Sequence, residues 1–296
     1  MPRKNRIDAL GGVLLFGFAA TMGLNQSLVK LVNAGYAPFM QAGLRSVIAL
    51  VPVLAFALLM RRRLSLTDGS LPAGVFCGLL FTGEFALLFL ALDYTSVSRA
   101  SIFFYTMPIW VAVGAHFLIP EEKLNAVKVI GLVLAVAGVA LALWGNAAPA
   151  SDKALLGDLM CLLAAICWAG IPLTARATRL SRSSPEMQLL YQLAVSAPLL
   201  IGAAWATGDM AREPTALLNG ILAFQGLVIV GCIFLVWFWV LTIYPASDVA
   251  SFGFLAPVFG VFFGWVLFDD ALTWRLVGAL ALVGAGIVLV NRKRRV

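Results

Sequence analysis

The sequence contains little charge. Only 12% of its 296 residues are charged, whereas 62% are hydrophobic and the mean hydropathy is +0.98. An average soluble domain has about 25% charged residues. A water-soluble fold could not cover this much apolar surface, so the composition excludes a soluble helical protein and indicates a membrane protein. We attribute the net charge of +7 to membrane orientation rather than nucleic-acid binding, because the basic residues cluster between apolar runs.

Groups that build metal or catalytic sites are also scarce. The sequence has one histidine, His116, and its four cysteines have neither metal-ligand nor CxxC spacing. We expect the cysteines to be small buried hydrophobic residues, and we expect no metal or cofactor. No pair of His, Asp or Cys residues has catalytic spacing, and no stretch is long enough for a soluble ATP-binding domain. An integral membrane enzyme is therefore the weakest functional hypothesis.

Long apolar segments dominate what is present. A membrane-crossing helix needs about 20 mostly apolar residues. Ten segments qualify: 8–29, 36–60, 70–92, 96–119, 124–145, 154–178, 185–206, 215–242, 246–268 and 272–291. Their connections are short, which makes each helix antiparallel to the next. The sequence therefore predicts an all-α membrane protein with ten transmembrane helices.

The two halves of the chain share a pattern. Residues 94–124 and 244–272 each run from Tyr through small and hydroxyl residues into an aromatic segment with a proline, Pro108 or Pro257. Neighbouring helices can satisfy the carbonyl that such a proline leaves unpaired, so we interpret both prolines as hinges within membrane helices. The duplication predicts two five-helix units, 1–147 and 148–296. It also makes the basic, then apolar, N-terminus part of the fold rather than a cleaved leader.

An odd number of helices per unit means that the second unit enters the membrane in the opposite sense. The basic residues agree with this topology: 15 fall in segments predicted to be cytoplasmic and 5 in segments predicted to be outside, with Arg45 inside the second helix. We therefore expect both termini in the cytoplasm. Inverted repeats of this kind place a substrate site near the membrane midplane, between the two units.

The stretches ALDYTSVSRASIFFYTMPIW and TIYPASDVASFGFLAPVF, each followed by paired glycines, resemble the EamA-like branch of the drug/metabolite transporter superfamily. The resemblance covers essentially the whole chain, which looks like the YddG-type bacterial exporters of aromatic and other amino acids. It implies that helices 1, 3, 4, 6, 8 and 9 surround a central cavity, with helices 5 and 10 at the periphery. The two hairpins differ, since the first carries Glu121-Glu122 where the second carries Asp269-Asp270.

Glu84 is predicted to be the one carboxylate deep inside a membrane helix. Such a group costs about 3 kcal/mol or more to insert and usually faces a cavity or a partner. Two roles stay open, a contact to a substrate ammonium group or proton, and a structural hydrogen bond between helices. The neighbouring Gly83 is expected to leave room beside it. Arg45 could meet a substrate carboxylate, but we favour a structural role for it, either snorkelling or pairing with a helix end. For His116 we favour a satisfied helix-interface position over a proton relay.

Aromatic residues concentrate in the predicted helices 4, 6, 8 and 9, several of them far from the membrane interfaces. Aromatic walls with a few polar groups suit a small amphipathic organic ligand. The predicted substrate-binding residues are Glu84, Ser101, Tyr105, Trp168, Trp237, Ser251 and Phe254. The glycines of helices 5, 9 and 10 are expected to be packing positions instead: Gly131, Gly138, Gly260, Gly264, Gly278 and Gly284.

These features favour a secondary transporter that exports amino acids, aromatic and other small ones, and related metabolites across a bacterial inner membrane by alternating access. The alternative is a proton-coupled drug or organic-cation efflux pump that uses Glu84. The expected partners are a small-molecule substrate and the lipid bilayer, with no nucleic acid. The oligomeric state is open, and a monomer is compatible with the sequence.

Overall fold

The computed structural model describes residues 8–62, 64–119, 123–144, 152–234, 236, 240, 243 and 255–291. Within these ranges the chain is helical, and the β-structure consists of a single bridge between Tyr36 and Ala211. The α-helices of the described residues are α1 (Ala9–Val32), α2 (Pro38–Leu59), α3 (Leu71–Tyr94), α4 (Val97–Phe104), α5 (Met107–Leu118), α6 (Ala126–Trp144), α7 (Ala154–Ala177), α8 (Pro185–Thr207), α9 (Ala216–Phe224), α10 (Leu255–Phe268) and α11 (Trp274–Asn291). A 3-10 helix, Arg179–Arg182, precedes α8, and α9 continues into a π-helix, Gln225–Ile233.

Seven helical segments in the described residues are long and apolar enough to cross a membrane, counting Val97–Leu118 and Ala216–Ile233 as one segment each. Three shorter apolar helices follow the same pattern: Ala126–Ala142, Leu255–Phe268 and Trp274–Val290. The all-helical, multi-pass membrane class is thereby confirmed. The complete set of ten crossings stays a prediction, because residues 244–254, between the eighth and ninth segments, lie outside the described part of the chain.

Local chemistry explains where several helices begin. The side chains of Ser96, Ser184 and Thr215 accept hydrogen bonds from backbone N–H groups in the first turns of α4, α8 and α9. Each cap satisfies a donor that the helix itself leaves free. Pro38 and Pro185 stand at the first positions of α2 and α8, where proline removes no helical hydrogen bond. The boundaries of these helices therefore follow from the sequence.

The fourth membrane segment is broken in the middle. Helix α4 ends at Phe104 and α5 begins at Met107, with Pro108 in its first turn. The hydroxyl of Thr106 donates to the carbonyl of Phe103 at 2.6 Å, which satisfies one acceptor at the break. Pro257 occupies the third position of α10, and the residues before α10 are not described. A hinge role for Pro108 and Pro257 stays a prediction.

Most helix packing joins the first half of the chain to the second. Helix α2 packs on α8, α3 on α7, α1 on α10, α4 on α7 and α10, and α6 on α11. Small residues permit the close approaches. A Cβ added at Gly260 would collide with the side chain of Ser101, and one at Gly264 would lie 2.5 Å from the hydroxyl of Ser98. The packing role predicted for these two glycines agrees with this geometry.

The α6–α11 pair is similarly close, with one correction. A Cβ at Gly131 would lie 2.8 Å from the carbonyl oxygen of Gly286, and one at Gly138 would meet Val283 at 2.8 Å. The packing role expected for Gly284 is wrong, because no other side chain or neighbouring helix lies within 4 Å of the position of its Cβ. Gly286, two residues later, faces α6 instead. The difference arises from helix rotation, which glycine spacing alone does not determine.

Gly286 and Gly284 form a matched pair for testing this interface. We expect Gly286→Ala to destabilise the protein by about 1–3 kcal/mol, the usual cost of overpacking. Its new Cβ would lie 2.6 Å from the backbone oxygen of Gly131. Gly284→Ala should leave stability unchanged or raise it slightly, because alanine is the better helix former and the site is open. Thermal unfolding in detergent measures both, and equal effects would contradict this packing.

Candidate functional site

A layer of buried polar side chains crosses the helix bundle. At 1.5 Å per residue, its members lie about 9–15 Å from the end of the bundle where α1 and α3 finish and α2, α4 and α9 begin. The polar layer comprises Asn25, Gln26, Arg45, Glu84, Tyr105 and Gln225, and each is at most 9% exposed. Polar groups are expensive in the hydrocarbon region of a membrane and mark functional sites there.

Several members of the polar layer contact one another. The amide of Gln225 donates to the Asn25 side-chain oxygen at 3.3 Å, which joins the π-helix to α1. The side chain of Gln26 lies near the Tyr105 hydroxyl. Glu84 is close enough to Arg45 and Tyr105 to interact with both electrostatically. The layer is therefore one continuous site, built from both halves of the chain.

The polar layer also leaves hydrogen-bonding groups unsatisfied. Among the described residues, no partner reaches Glu84 Oε2, Arg45 Nε, Arg45 Nη1 or the side-chain oxygens of Gln26 and Gln225. Leaving such a group buried and unpaired costs about 1–3 kcal/mol, and more where it is charged. Native proteins contain few such groups, and each needs an explanation. A bound molecule with both donors and acceptors would satisfy this set.

Arg45 does not snorkel to the membrane surface, which is one of the two structural roles expected for it. It is 3% exposed, and its guanidinium carbon lies 4.2 Å from the ring centre of Phe85 and 4.9 Å from that of Phe89. These rings hold the cation over their faces, where the aromatic quadrupole attracts it. The sequence does not determine this placement, because the direction of the Arg45 side chain depends on the rotation of α2.

An aromatic wall adjoins the polar layer. Trp168 on α7 stacks on Phe104 with ring centres 4.7 Å apart and an interplanar angle of 11°. The same indole meets the ring of Tyr105 edge-on at 6.0 Å. Two predicted site residues, Tyr105 and Trp168, are thus in direct contact, and Tyr105 connects them to Glu84. The α4–α5 break lies beside this wall, since Tyr105 is the residue after α4.

Other predicted site residues are less central. Ser101 is completely buried against Gly260 at the α4–α10 contact, and its hydroxyl has no hydrogen-bond partner in the described part of the chain. Gly83 does not open a space beside Glu84; a Cβ there would make ordinary contact with Cys167 at 3.4 Å. Three further predicted residues, together with Glu121 and Glu122, lie outside the described residues: Trp237, Ser251 and Phe254.

His116 is placed as the sequence analysis favours. Its Nδ1 accepts a hydrogen bond from the backbone N–H of Leu124 at 3.2 Å. Its carbonyl accepts another from the Lys123 ammonium group at 2.8 Å. Both contacts tie the end of α5 to the residues just before α6. His116 is therefore a hydrogen-bonded residue of the α5–α6 interface, at the end of α5 that is farther from Tyr105 and the polar layer.

A second set of polar side chains, which the sequence analysis missed, lies at the end of the bundle where α1 and α3 finish. Asp158 on α7 is fully buried and accepts from Arg99 Nε at 3.1 Å and from the Thr95 hydroxyl at 2.7 Å. The Lys30 ammonium group donates to the carbonyl of Thr95 at 2.8 Å. We call Lys30, Thr95, Ser98, Arg99, Asp158 and Asp270 the Asp158 cluster. Its partners are up to 172 positions apart in the sequence, so no local pattern could reveal them.

Asp270 joins the Asp158 cluster to the second half of the chain. Its carboxylate accepts from the backbone N–H of Ser98 at 2.8 Å, in the first turn of α4. A carboxylate is favourable there because the N-terminus of a helix carries partial positive charge. Asp270 also attracts the half-buried Lys30. The cluster therefore fastens α1, α4, α7 and the α10–α11 connection together on one side of the polar layer.

A multi-pass helical bundle with a buried polar layer between its halves is the architecture of a membrane transporter. The model of the EamA-like transporter family matches this chain twice, over residues 9–144 and 155–292. The chain belongs to the EamA-like transporter family. The two matched ranges divide the chain near its middle, as the internal duplication does.

Individual similar proteins are also named as transporters or efflux pumps. The uncharacterized transporter YoaV of Bacillus subtilis is 28% identical over 253 residues, which cover 85% of this chain and 86% of that protein. A probable amino-acid metabolite efflux pump of Escherichia coli is 27% identical over 299 residues, covering 95% and 92%. A protein of known crystal structure superposes with a TM-score of 0.66 at 20% identity, covering 93% of this chain and 94% of that one. This last likeness shows a shared fold.

The Asp158 cluster generates a stability prediction. Asp158→Asn should destabilise the protein by about 3 kcal/mol, because it leaves the Arg99 charge without its buried partner. The exposed Asp209, whose carboxylate lies 3.4 Å from Arg212, supplies a control. Asp209→Asn should change stability by less than about 1 kcal/mol, since exposed pairs contribute little. Thermal unfolding in detergent reports both variants, and a neutral Asp158→Asn would show that the cluster is not stabilising.

Proposed function

We propose that this chain is a secondary transporter that exports amino acids, aromatic and other small ones, and related metabolites across a bacterial inner membrane. The observation that carries the proposal is the unsatisfied Glu84 carboxylate in the polar layer, beside the wall of Tyr105 and Trp168. A carboxylate can hold a substrate ammonium group, and the wall can hold an apolar side chain. The efflux-pump name of the Escherichia coli relative supports the same substrate class.

Alternating access fits the arrangement of the helices. The packed pairs α2–α8 and α6–α11 each join helices at equivalent positions of the two predicted units, as a twofold relation between inverted repeats requires. With both termini in the cytoplasm, the Asp158 cluster lies at the outer end of the bundle. In this conformation it closes the polar layer from outside. Export then needs these ion pairs to separate after the site has loaded from the cytoplasm.

The outer end of the bundle could move by bending at two points, the α4–α5 break and Pro257. The break at Tyr105 and Thr106 divides the fourth membrane segment between the Asp158 cluster and the cytoplasmic half. Bending there would displace α4, and with it Arg99 and Ser98, while α5 stays packed on α7. Pro257 is the equivalent residue of the second unit. Both prolines act as hinges in this proposal. Because Tyr105 lies at the break, bending there would move its ring relative to the bound substrate.

A proton-coupled drug or organic-cation pump is the second candidate. One observation favours it, because a buried carboxylate beside stacked aromatic rings also suits a hydrophobic cation. In that case protons and cations would compete for Glu84. The two candidates differ in substrate and in what ionisation of Glu84 does during transport. Both differences can be measured with one isosteric substitution.

Glu84→Gln removes the ionisable group and preserves size. If Glu84 binds the substrate ammonium group, uptake of radiolabelled phenylalanine into inverted membrane vesicles should persist with an apparent affinity about 10- to 150-fold weaker. That range corresponds to the loss of one charged hydrogen bond. The exposed Glu213 provides the matched control, and Glu213→Gln should transport normally.

Two other outcomes of the Glu84→Gln experiment would give Glu84 a different role. Loss of the response to an imposed pH gradient, with substrate affinity retained, would make Glu84 a proton carrier and favour the pump. An unchanged rate, affinity and pH response would leave Glu84 with a structural role and contradict both functional candidates. Vesicle transport at several pH values distinguishes these results in one series.

The aromatic wall predicts a dependence on substrate size. Trp168→Ala should reduce vesicle transport of phenylalanine and leucine more than that of alanine, because it removes the ring surface against which large side chains pack. We expect Trp237→Ala to behave in the same way. Trp205→Ala is the control, since Trp205 is 77% exposed on the membrane-facing surface and should have little effect. Uniform loss for every substrate with reduced protein level would favour a packing role.

A further inference from the structure

Arg45 is the second charged residue of the polar layer, and the function proposed above gives it no role. It stands on α2, about 10 Å from the start of that helix, at a depth similar to that of Glu84. Its side chain is almost completely buried, and its Nε and Nη1 donate to no group in the described part of the chain. A charged donor in such a position is costly unless something compensates it.

Glu84 does not supply direct compensation. Its carboxylate and the Arg45 guanidinium interact electrostatically, yet these two described residues form no ion pair within 4.0 Å. Each keeps at least one polar atom without a hydrogen bond. A direct pair would have satisfied both groups and closed the site. The two opposite charges, on α2 and α3, instead lie near each other with polar atoms that a third group could pair.

The geometry around Arg45 suits recognition of an anion. The guanidinium carbon lies over the rings of Phe85 and Phe89, 4.2 and 4.9 Å from their centres. These contacts use the positive charge of the group, while its Nε and Nη1 have no hydrogen-bond partner among the described residues. Guanidinium N–H groups in one plane match the two oxygens of a carboxylate. The rings therefore hold the cation in place and leave donors available to an anion.

We propose that Arg45 binds the carboxylate of the transported molecule while Glu84 binds its ammonium group, so that the site selects zwitterionic α-amino acids. This assignment rests on the function proposed above. An α-amino acid carries an ammonium and a carboxylate group on the same carbon atom, so it can offer a partner to each of two nearby opposite charges that form no direct pair. Its binding would neutralise both protein charges together. A simple organic cation would satisfy Glu84 and leave the Arg45 donors unpaired.

Three ligands separate the two contacts. Phenylalanine has both charged groups, phenethylamine lacks the carboxylate, and 3-phenylpropionate lacks the ammonium group. Binding of each to the purified protein in detergent can be measured by competition against radiolabelled phenylalanine and by direct calorimetry. We expect the wild-type protein to bind phenylalanine at least about tenfold more tightly than either fragment, because each fragment leaves one buried charge unsatisfied. This comparison needs no variant and survives any folding defect.

The variants assign each contact to a residue. Arg45→Gln should weaken phenylalanine binding about 10- to 100-fold and should not weaken phenethylamine binding, because a cation gains when a nearby positive charge is removed. Arg45→Lys, which keeps the charge but loses the planar donor pair, should weaken phenylalanine binding less. Glu84→Gln should weaken phenethylamine and leave phenylpropionate unchanged. Arg275→Gln removes the same charge beside Trp274, away from the polar layer, and should alter none of the three affinities.

Different results would refute the carboxylate contact of Arg45 and the proposed amino-acid export itself. Equal losses of phenylalanine and phenethylamine binding in Arg45→Gln would show that Arg45 only supports the fold through its aromatic contacts. Wild-type binding of phenethylamine as tight as that of phenylalanine would also refute a carboxylate contact. If the wild-type protein binds phenethylamine and no amino acid, the proposed amino-acid export itself fails, and the organic-cation candidate takes its place.

Discussion

Charge is costly to keep away from water inside a membrane, and the buried side chains of this bundle are arranged around that cost. Glu84 and Arg45 are both buried among helices, and neither is satisfied by a direct ion pair. An arrangement of this kind persists when function requires it, since apolar residues of similar size would pack at lower cost. The surrounding amides and the stacked rings at Phe85, Phe89 and Trp168 hold this pair of charges in a defined place.

The same constraint explains why the second charged group lies where it does. The Asp158 cluster satisfies its charges internally, with Arg99 and Thr95 donating to a fully buried carboxylate. It joins helices from both halves at one end of the bundle, whereas several polar atoms of the polar layer have no partner among the described residues. In the proposed function these two groups have separate tasks, with the Asp158 cluster closing the bundle and the polar layer binding the substrate. Close glycine contacts such as Gly260 with Ser101 let the halves meet without filling the layer.

The sequence predicts the helices and the depth of Glu84 because both follow from the run of apolar residues along the chain. It names Tyr105 and Trp168 as candidate site residues, but their edge-on contact is seen only in the structure. The Asp158 cluster was out of reach, since its members lie near helix ends and pair over distances of 59 to 172 residues. Two further features depend on how a helix is rotated about its axis: the direction of the Arg45 side chain, and the fact that Gly286 rather than Gly284 contacts α6. That rotation is determined by packing between the halves, which a single sequence does not specify.

Counterflow in liposomes distinguishes amino-acid transport by this protein from transport of organic cations. Purified protein is reconstituted into liposomes loaded with unlabelled phenylalanine, and entry of external radiolabelled phenylalanine is followed. An alternating-access amino-acid transporter should accumulate the label transiently above equilibrium, with saturable kinetics, and phenethylamine inside the liposomes should not replace phenylalanine. Label entry no faster than in protein-free liposomes, together with exchange of an organic cation, would contradict amino-acid transport through the polar layer.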